Sequence, residues 1–310
     1  MNTPLIVVAG PTGSGKSGLA IDLAVAFDGE VVNCDSVQVY RHLDIGAAKL
    51  PQNERRGVPH HLIDVVEPTQ IFTAGEYLRL GRLALNEIRE RRRIPIVAGG
   101  TGLYLKALLE GLFEGPKRSE ALRTRLDSRA RGKGPAYLHR LLSRVDSSSA
   151  ANISPNDKPK MIRALEVYFL TSMPISQHFT LGRDALQGFD LLQIGLSPPR
   201  QQLYEFIDRR VEHMFATGLL DEVRAIWSSL GTDLKPLESL GYAQAACYLR
   251  GEIGLAEAIS LTQRQTRQYA KRQLTWFGKD KGIAWFEGFG SEPSIRGAVR
   301  DLVSKFLAGI

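Results

Sequence analysis

The residues best suited by type and spacing to do chemistry stand near the start of the chain: Gly10, Pro11, Thr12, Gly13, Ser14, Gly15, Lys16 and Ser17. Two glycines with four residues between them, then lysine and serine, fit the phosphate-binding loop pattern. Small residues let successive backbone N–H groups turn inward around an anion, and a helix starting behind them adds its positive dipole end. Lys16 supplies a point charge, and the Ser17 hydroxyl is a candidate ligand for Mg²⁺. Two further candidates lie downstream. Asp35 ends a strand-like run that starts at Glu30, which puts a carboxylate beside the loop if the sheet is parallel. The plainer alternative is a helix or turn cap. Thr101 follows Gly99 and Gly100 and is placed to cap the next helix, while the glycines would let substrate approach its hydroxyl.

Those residues meet only if an open parallel sheet brings strand ends together. Leu5 to Ala9 reads as a buried parallel strand, and Leu19, Leu23, Ala24 and Phe27 form a helical stripe directly after the loop. Ile94 to Gly100 is a second buried strand, ending in Gly-Gly where a nucleotide hydrolase would usually place an aspartate for its Mg²⁺. Between them, Tyr77, Leu78, Leu80, Leu83, Ala84 and Ile88 mark an amphipathic helix. Leu191 to Leu196 returns to the sheet, so residues 116–188 are expected to be a mostly helical insertion. The core is then 1–115 with 189–310. The fold class expected is α/β, a P-loop NTPase-like parallel sheet flanked by helices.

Composition narrows the partners. The 310 residues carry a net charge of +7 and only two cysteines, Cys34 and Cys247. That excludes a disulfide framework or a Cys-rich zinc site and suits a reducing compartment. The adjacent pair His60 and His61 makes a poor metal site, because neighbours on an extended chain point apart. No apolar run is long enough to span a membrane and no signal peptide is read, so a cytoplasmic protein is expected. From Lys117 to Arg144 nine basic residues face two acids, Glu120 and Asp127, too few for pairing within the helix. Ser147 to Pro159 reads as a loop, and the last third as helical. The stretch Leu261 to Phe277 is polar almost all round from Thr262 to Gln268, with Arg264, Arg267 and Lys271 on one face and Tyr269, Arg272 and Trp276 interleaved. No acid lies between Glu257 and Asp280 to brace it, so nucleic acid is the expected partner.

Several segments together resemble the tRNA dimethylallyltransferases. They are GPTGSGKS (10–17), CDSVQVYR (34–41), DIG (44–46), GVPHHLID (57–64), AGGTGLYLKAL (98–108), RALEV (163–167), LGY (240–242) and TRQYAKRQLTWF (266–277). The resemblance implies transfer of a dimethylallyl group from dimethylallyl diphosphate to the exocyclic amine of the adenosine 3′ of the anticodon. It implies Gly10 to Ser17 as diphosphate cradle, Asp35 as general base and Thr101 as a hydrogen-bond partner at the reacting amine. Contacts to the tRNA anticodon stem-loop are implied for Asp35, Ser36, Val37, Gln38, Thr101, Arg123, Pro159, Lys160, Met161, Ile162, Arg163, Gly241 and Tyr242. The same holds for Lys271, Arg272, Gln273 and Trp276, while Arg267 joins them through the basic helical face. A monomer with Mg²⁺ as cofactor is expected. The residues alone leave two alternatives: a small-molecule or nucleotide kinase using the loop for ATP, and a non-catalytic RNA-binding ATPase.

Overall fold

Alternation along the first strand sets the layering. In β1 (Thr3–Ala9), Leu5, Val7 and Ala9 enter one core, with Tyr77, Leu85, Ile88 and Leu105. Ile6 and Val8 enter another, with Leu19, Leu23, Ile194, Val299 and Val303. Successive side chains of a strand point to opposite faces, so a strand covered on both sides reads as one unbroken apolar run. A computed structural model describes residues 2–134 and 136–309; Met1, Pro135 and Ile310 lie outside the described residues.

The chain continues through α1 (Lys16–Ala26), β2 (Gly29–Cys34), β3 (His60–His61), α2 (Ala74–Glu90), β4 (Ile94–Gly99) and α3 (Gly102–Glu110). Next come α4 (Glu120–Lys133), α5 (Ala136–Val145), α6 (Ser147–Asn152), α7 (Lys158–Thr171) and α8 (Ile175–His178). The remainder is β5 (Phe189–Leu196), α9 (Arg200–Ala216), α10 (Leu219–Leu230), α11 (Tyr242–Leu249), α12 (Leu255–Phe277), β6 (Ile283–Phe286) and α13 (Pro293–Ala308). The chain forms two compact units, Met1–Leu109 with Leu186–Ile310, and Glu110–Ala185. The larger holds a sheet ordered β3-β2-β4-β1-β5-β6, with every neighbouring pair parallel. This is the helix-flanked parallel sheet read from the sequence. In such sheets ligands sit beyond the carboxyl ends of the strands, where β1, β2 and β4 release their loops. The smaller unit is helical, with its own core of Leu126, Leu138, Leu142, Met161 and Leu165.

Two local expectations are corrected. The last third is not wholly helical: Ile283–Phe286 is a sixth strand, registered against Gln193–Leu196. Four apolar residues are too few for periodicity to separate strand from helix. The Ser147–Pro159 segment is not all loop either. Asp146 accepts the Ser149 N–H at 2.9 Å and the Ser149 hydroxyl at 2.7 Å, capping the short helix α6. No helix among the described residues is long and apolar enough to cross a membrane.

Candidate active site

The phosphate loop is shaped before any ligand arrives. Gly10, Gly13 and Gly15 hold φ of 146°, 82° and 83°, values that L side chains rarely adopt. Gly15 is the N-cap of α1, and no side chain caps that end or places an acid in its first turn. Its leading N–H groups and dipole are therefore free to meet an anion. The loop is buttressed from behind: Gly290 N–H donates to the Ser14 carbonyl at 2.8 Å, and a Cβ on Gly15 would lie 3.0 Å from Gly290 N. Lys16 Nζ donates to the Pro11 carbonyl at 2.6 Å. Burial pushes this ammonium down to about 8, the charge of Asp35 pulling it up and that of Arg210 pressing it further down.

Asp35 follows β2 directly and shares a cleft of about 290 Å³ with Thr12, Arg210, Tyr269 and Arg272. Its Oδ1 accepts the N–H groups of Val37 at 2.8 Å and Gln38 at 3.2 Å. The residue is thus a turn cap through one oxygen, while Oδ2 has no hydrogen-bond partner among the described residues. Sequence reading passed over Arg210, which sits among the apolar stripe of α9. Its Nη2 donates to Thr12 Oγ1 at 2.6 Å, and its Nε is buried without a partner among the described residues. Burial lowers its pKa, and Asp35 raises it. A guanidinium held this way keeps donor capacity for an anion in the cleft.

Thr101 does not use its side chain as an ordinary cap. Its Oγ1 accepts the Ser36 N–H at 3.1 Å and its carbonyl accepts from Tyr104 and Leu105. The hydroxyl thereby ties the loop after β2 to the end of β4. Burial pushes the Tyr269 phenol up to about 12, so it stays protonated at neutral pH. The glycines around Thr101 are points of close packing. A Cβ on Gly99 would lie 2.1 Å from the Cys34 carbonyl oxygen, on Gly100 2.1 Å from Gln273 Nε2, and on Gly102 2.2 Å from Trp276 Nε1. No carboxylate occupies the end of β4, and among the described residues no group of three or more His, Cys, Asp or Glu could hold a metal ion. His61 Nε2 is instead 2.6 Å from Glu30.

Residues 38–280 match the family model described as IPP transferase. The chain belongs to the IPP transferase family. It is 56% identical over 306 residues to the tRNA dimethylallyltransferase of Solibacter usitatus, covering 98% of this chain and 99% of that one. With the tRNA dimethylallyltransferase of Koribacter versatilis it shares 50% over 304 residues, again 98% and 99%. The crystal structure of the tRNA isopentenylpyrophosphate transferase from Bacillus halodurans superposes with a TM-score of 0.72 at 37% identity, covering 99% of this chain and 96% of that one. A eukaryotic dimethylallyltransferase, solved in crystallographic snapshots of its action on tRNA, gives 0.82 at 30% identity, covering 98% and 80%.

Several residues that the IPP transferase resemblance assigns to RNA are turned inward. Tyr242, Met161 and Ile162 are buried, and Gly241 is a buried lining residue of the cleft. Gln273 is buried with both ends of its amide in use: Oε1 accepts Thr12 N–H at 2.8 Å and Nε2 donates to the Gly100 carbonyl at 2.9 Å. It braces the phosphate loop and does not face solvent. Arg267 is not free, because both oxygens of Asp208 on α9 accept its Nη1, at 2.5 and 2.6 Å. Bracing for α12 therefore comes from another helix. Its buried face of Thr262, Thr266, Ala270 and Gln273 is tolerated because both threonine hydroxyls bond the carbonyl four residues back. Lys271, Arg272 and Trp276 remain exposed on the same helix, as do Pro159 and Lys160 at the start of α7. Ser36, Val37 and Gln38 line or edge the cleft, Gln38 donating to the Ala47 and Ala48 carbonyls.

Within Glu110–Ala185, Arg123 and Arg163 are committed to one carboxylate. Glu166, wholly buried, accepts from Arg123 Nε and Nη2, from Arg163 Nη1 and from the Ser119 N–H, all at 2.8–2.9 Å. They are the internal brace of that unit, not open cations. Burial alone would raise Glu166, yet these hydrogen bonds outweigh it and hold the carboxyl down at about 2. A depressed carboxyl stabilises the fold above its unfolded pKa, near ~4.3, and loses that contribution as pH falls towards about 2. Glu166→Gln should therefore cost roughly 2–3 kcal/mol at neutral pH and flatten the acid-side loss below roughly pH 4.5. Amide hydrogen exchange of α4 and α7 in both proteins reads this directly.

Proposed function

We propose that this protein transfers the dimethylallyl group of dimethylallyl diphosphate to the exocyclic amine of the adenosine next to the anticodon of tRNA. The observation that carries the reading is one cleft that joins an anion-ready end to a carboxylate. Thr12 and Arg210 mark the first, and Asp35 is the second. The names of the relatives supply the substrates. The amine nitrogen attacks the allylic carbon, the carbon–oxygen bond breaks, and diphosphate leaves with the bonding electrons. Asp35 Oδ2 takes the proton the amine sheds. An aromatic amine is a weak nucleophile, so removing that proton as the bond forms is worth ~10²–10⁴-fold. Growing charge on the leaving group falls on the first amides of α1, on Lys16 and on Arg210. Thr101, held at the Ser36 N–H, is placed to orient the base. An adenine in a stacked loop must be flipped out to reach such a cleft.

Ser17 fits magnesium in a limited way. Its hydroxyl is exposed at the first turn of α1, and Mg²⁺ keeps several waters while taking phosphate oxygens. An ion held there would supply charge neutralisation on the diphosphate.

The RNA grip is proposed for the exposed cations of α12. Changing Lys271 and Arg272 together to alanine should weaken tRNA binding and lower the salt slope by about two units, one for each lost phosphate contact. Filter binding across a salt series measures it. The reading as a whole is tested by digesting tRNA after incubation with dimethylallyl diphosphate. Isopentenyladenosine should appear at the position 3′ of the anticodon, and its absence would refute the reading.

A further inference from the structure

Glu222 lies on the first turn of α10, outside every motif above. Its two oxygens collect four donors. Oε2 accepts the N–H groups of Asp44 at 3.0 Å and Ile45 at 2.7 Å, and Oε1 accepts Gly46 N–H at 3.3 Å and the Tyr242 hydroxyl at 2.5 Å. That hydroxyl in turn accepts Ala47 N–H at 3.2 Å. No Lys or Arg pairs with Glu222 among the described residues. This is a carboxylate used as a backbone clamp, favoured further by the dipole of its own helix.

The clamped segment is a wall of the candidate cleft. Gly46, Ala47 and Ala48 line it together with Val211 and Met214, in the same space as Asp35 and Arg210. Gly46 packs closely on the Tyr242 ring, where a Cβ would lie only 2.5 Å away. The wall is also held in a costly shape: Ala48 has φ of 50°, a left-handed value that persists only where surroundings over-determine it. Gln38 takes the Ala47 and Ala48 carbonyls, and Lys49, nearly buried, bonds the Tyr40 carbonyl, Asp44 and Asp64.

We propose that Glu222 is a positioning residue for the allylic substrate. By fixing residues 44–47 it sets the small apolar wall against which a five-carbon chain packs, and so disfavours longer allylic diphosphates. The inference rests on the prenyl-transfer reading above. Glu222→Gln tests it with little change in volume. An amide has one accepting oxygen, so whichever way it turns, its NH₂ meets N–H or O–H donors that the carboxylate had satisfied.

The experiment compares kcat/KM for dimethylallyl diphosphate and for a ten-carbon allylic diphosphate at saturating tRNA, in the full chain. The selectivity ratio should fall about tenfold in Glu222→Gln, the scale set by a poorly fitted hydrocarbon contact. The change should lie mostly in KM for dimethylallyl diphosphate, with KM for tRNA unaltered. An unchanged ratio in the folded variant overturns the proposal. If Glu222→Gln does not fold, Tyr242→Phe keeps the buried ring and removes the hydroxyl that donates to Glu222 Oε1 and accepts Ala47 N–H. It should lower the same ratio, and an unchanged ratio there overturns the proposal equally. Failure of the wild-type chain to transfer either group would strike the functional reading itself, before any variant is compared.

Discussion

Asp35→Asn is expected to lower single-turnover prenyl transfer by at least ~10²-fold with both substrates saturating. The structure makes this substitution unusually clean. Asparagine keeps an oxygen for the Val37 and Gln38 N–H groups, so the turn after β2 should survive. What disappears is the basicity of the second oxygen. Basicity matters chiefly once the amine has begun to bond, so affinities for tRNA and for the allylic diphosphate should change far less than turnover. Thr101→Ala should lose less, because it removes neutral hydrogen bonds of about 0.5–1.5 kcal/mol each. Near-normal chemistry in Asp35→Asn would reduce Asp35 to a turn cap and leave departure of diphosphate as the step that governs the rate.

The second large effect belongs to Lys16. Lys16→Ala should cut transfer by ~10²–10³-fold, the loss typical of one preorganised donor at a developing charge. Its pH behaviour gives a sharper test. With the ammonium pushed down to about 8, it is charged below that pH and loses its charge as pH rises through it. Affinity for the allylic diphosphate should accordingly be flat on the acid side and weaken as pH climbs past about 8. Lys16→Arg stays protonated throughout and should abolish that weakening, whatever it does to turnover. Titration calorimetry across pH in both proteins separates these outcomes. A wild-type affinity that stays level through this range would mean that Lys16 does not meet the diphosphate.

The core and the loop were legible because their signals are local. A buried parallel strand is an apolar run, and the phosphate loop is a fixed string of small residues before a lysine. Asp35 was legible from its place at a strand end. Arg210 was not, since only the packing of α9 over the loop shows that this one arginine meets Thr12 while its neighbour Arg209 is exposed. Basic residues misled for the same reason. Arg123 finds Glu166 and Arg267 finds Asp208 through contacts that join distant segments, and Arg163 meets the same Glu166 from one turn away on its own helix. Counting acids within one stretch cannot see such partners. Gln273 and Tyr242 show the converse: polar side chains in a motif can be spent on bracing, with every hydrogen bond made inside the protein.

The central claim is that the phosphate loop serves an allylic diphosphate and not a nucleotide. It is tested most directly by offering the protein unmodified tRNA, labelled dimethylallyl diphosphate and labelled ATP together. The account predicts allyl label in the RNA, one diphosphate released for each group transferred, and no ATP consumed. ATP turnover that proceeds without the allylic diphosphate, or transfer that requires ATP, would contradict it.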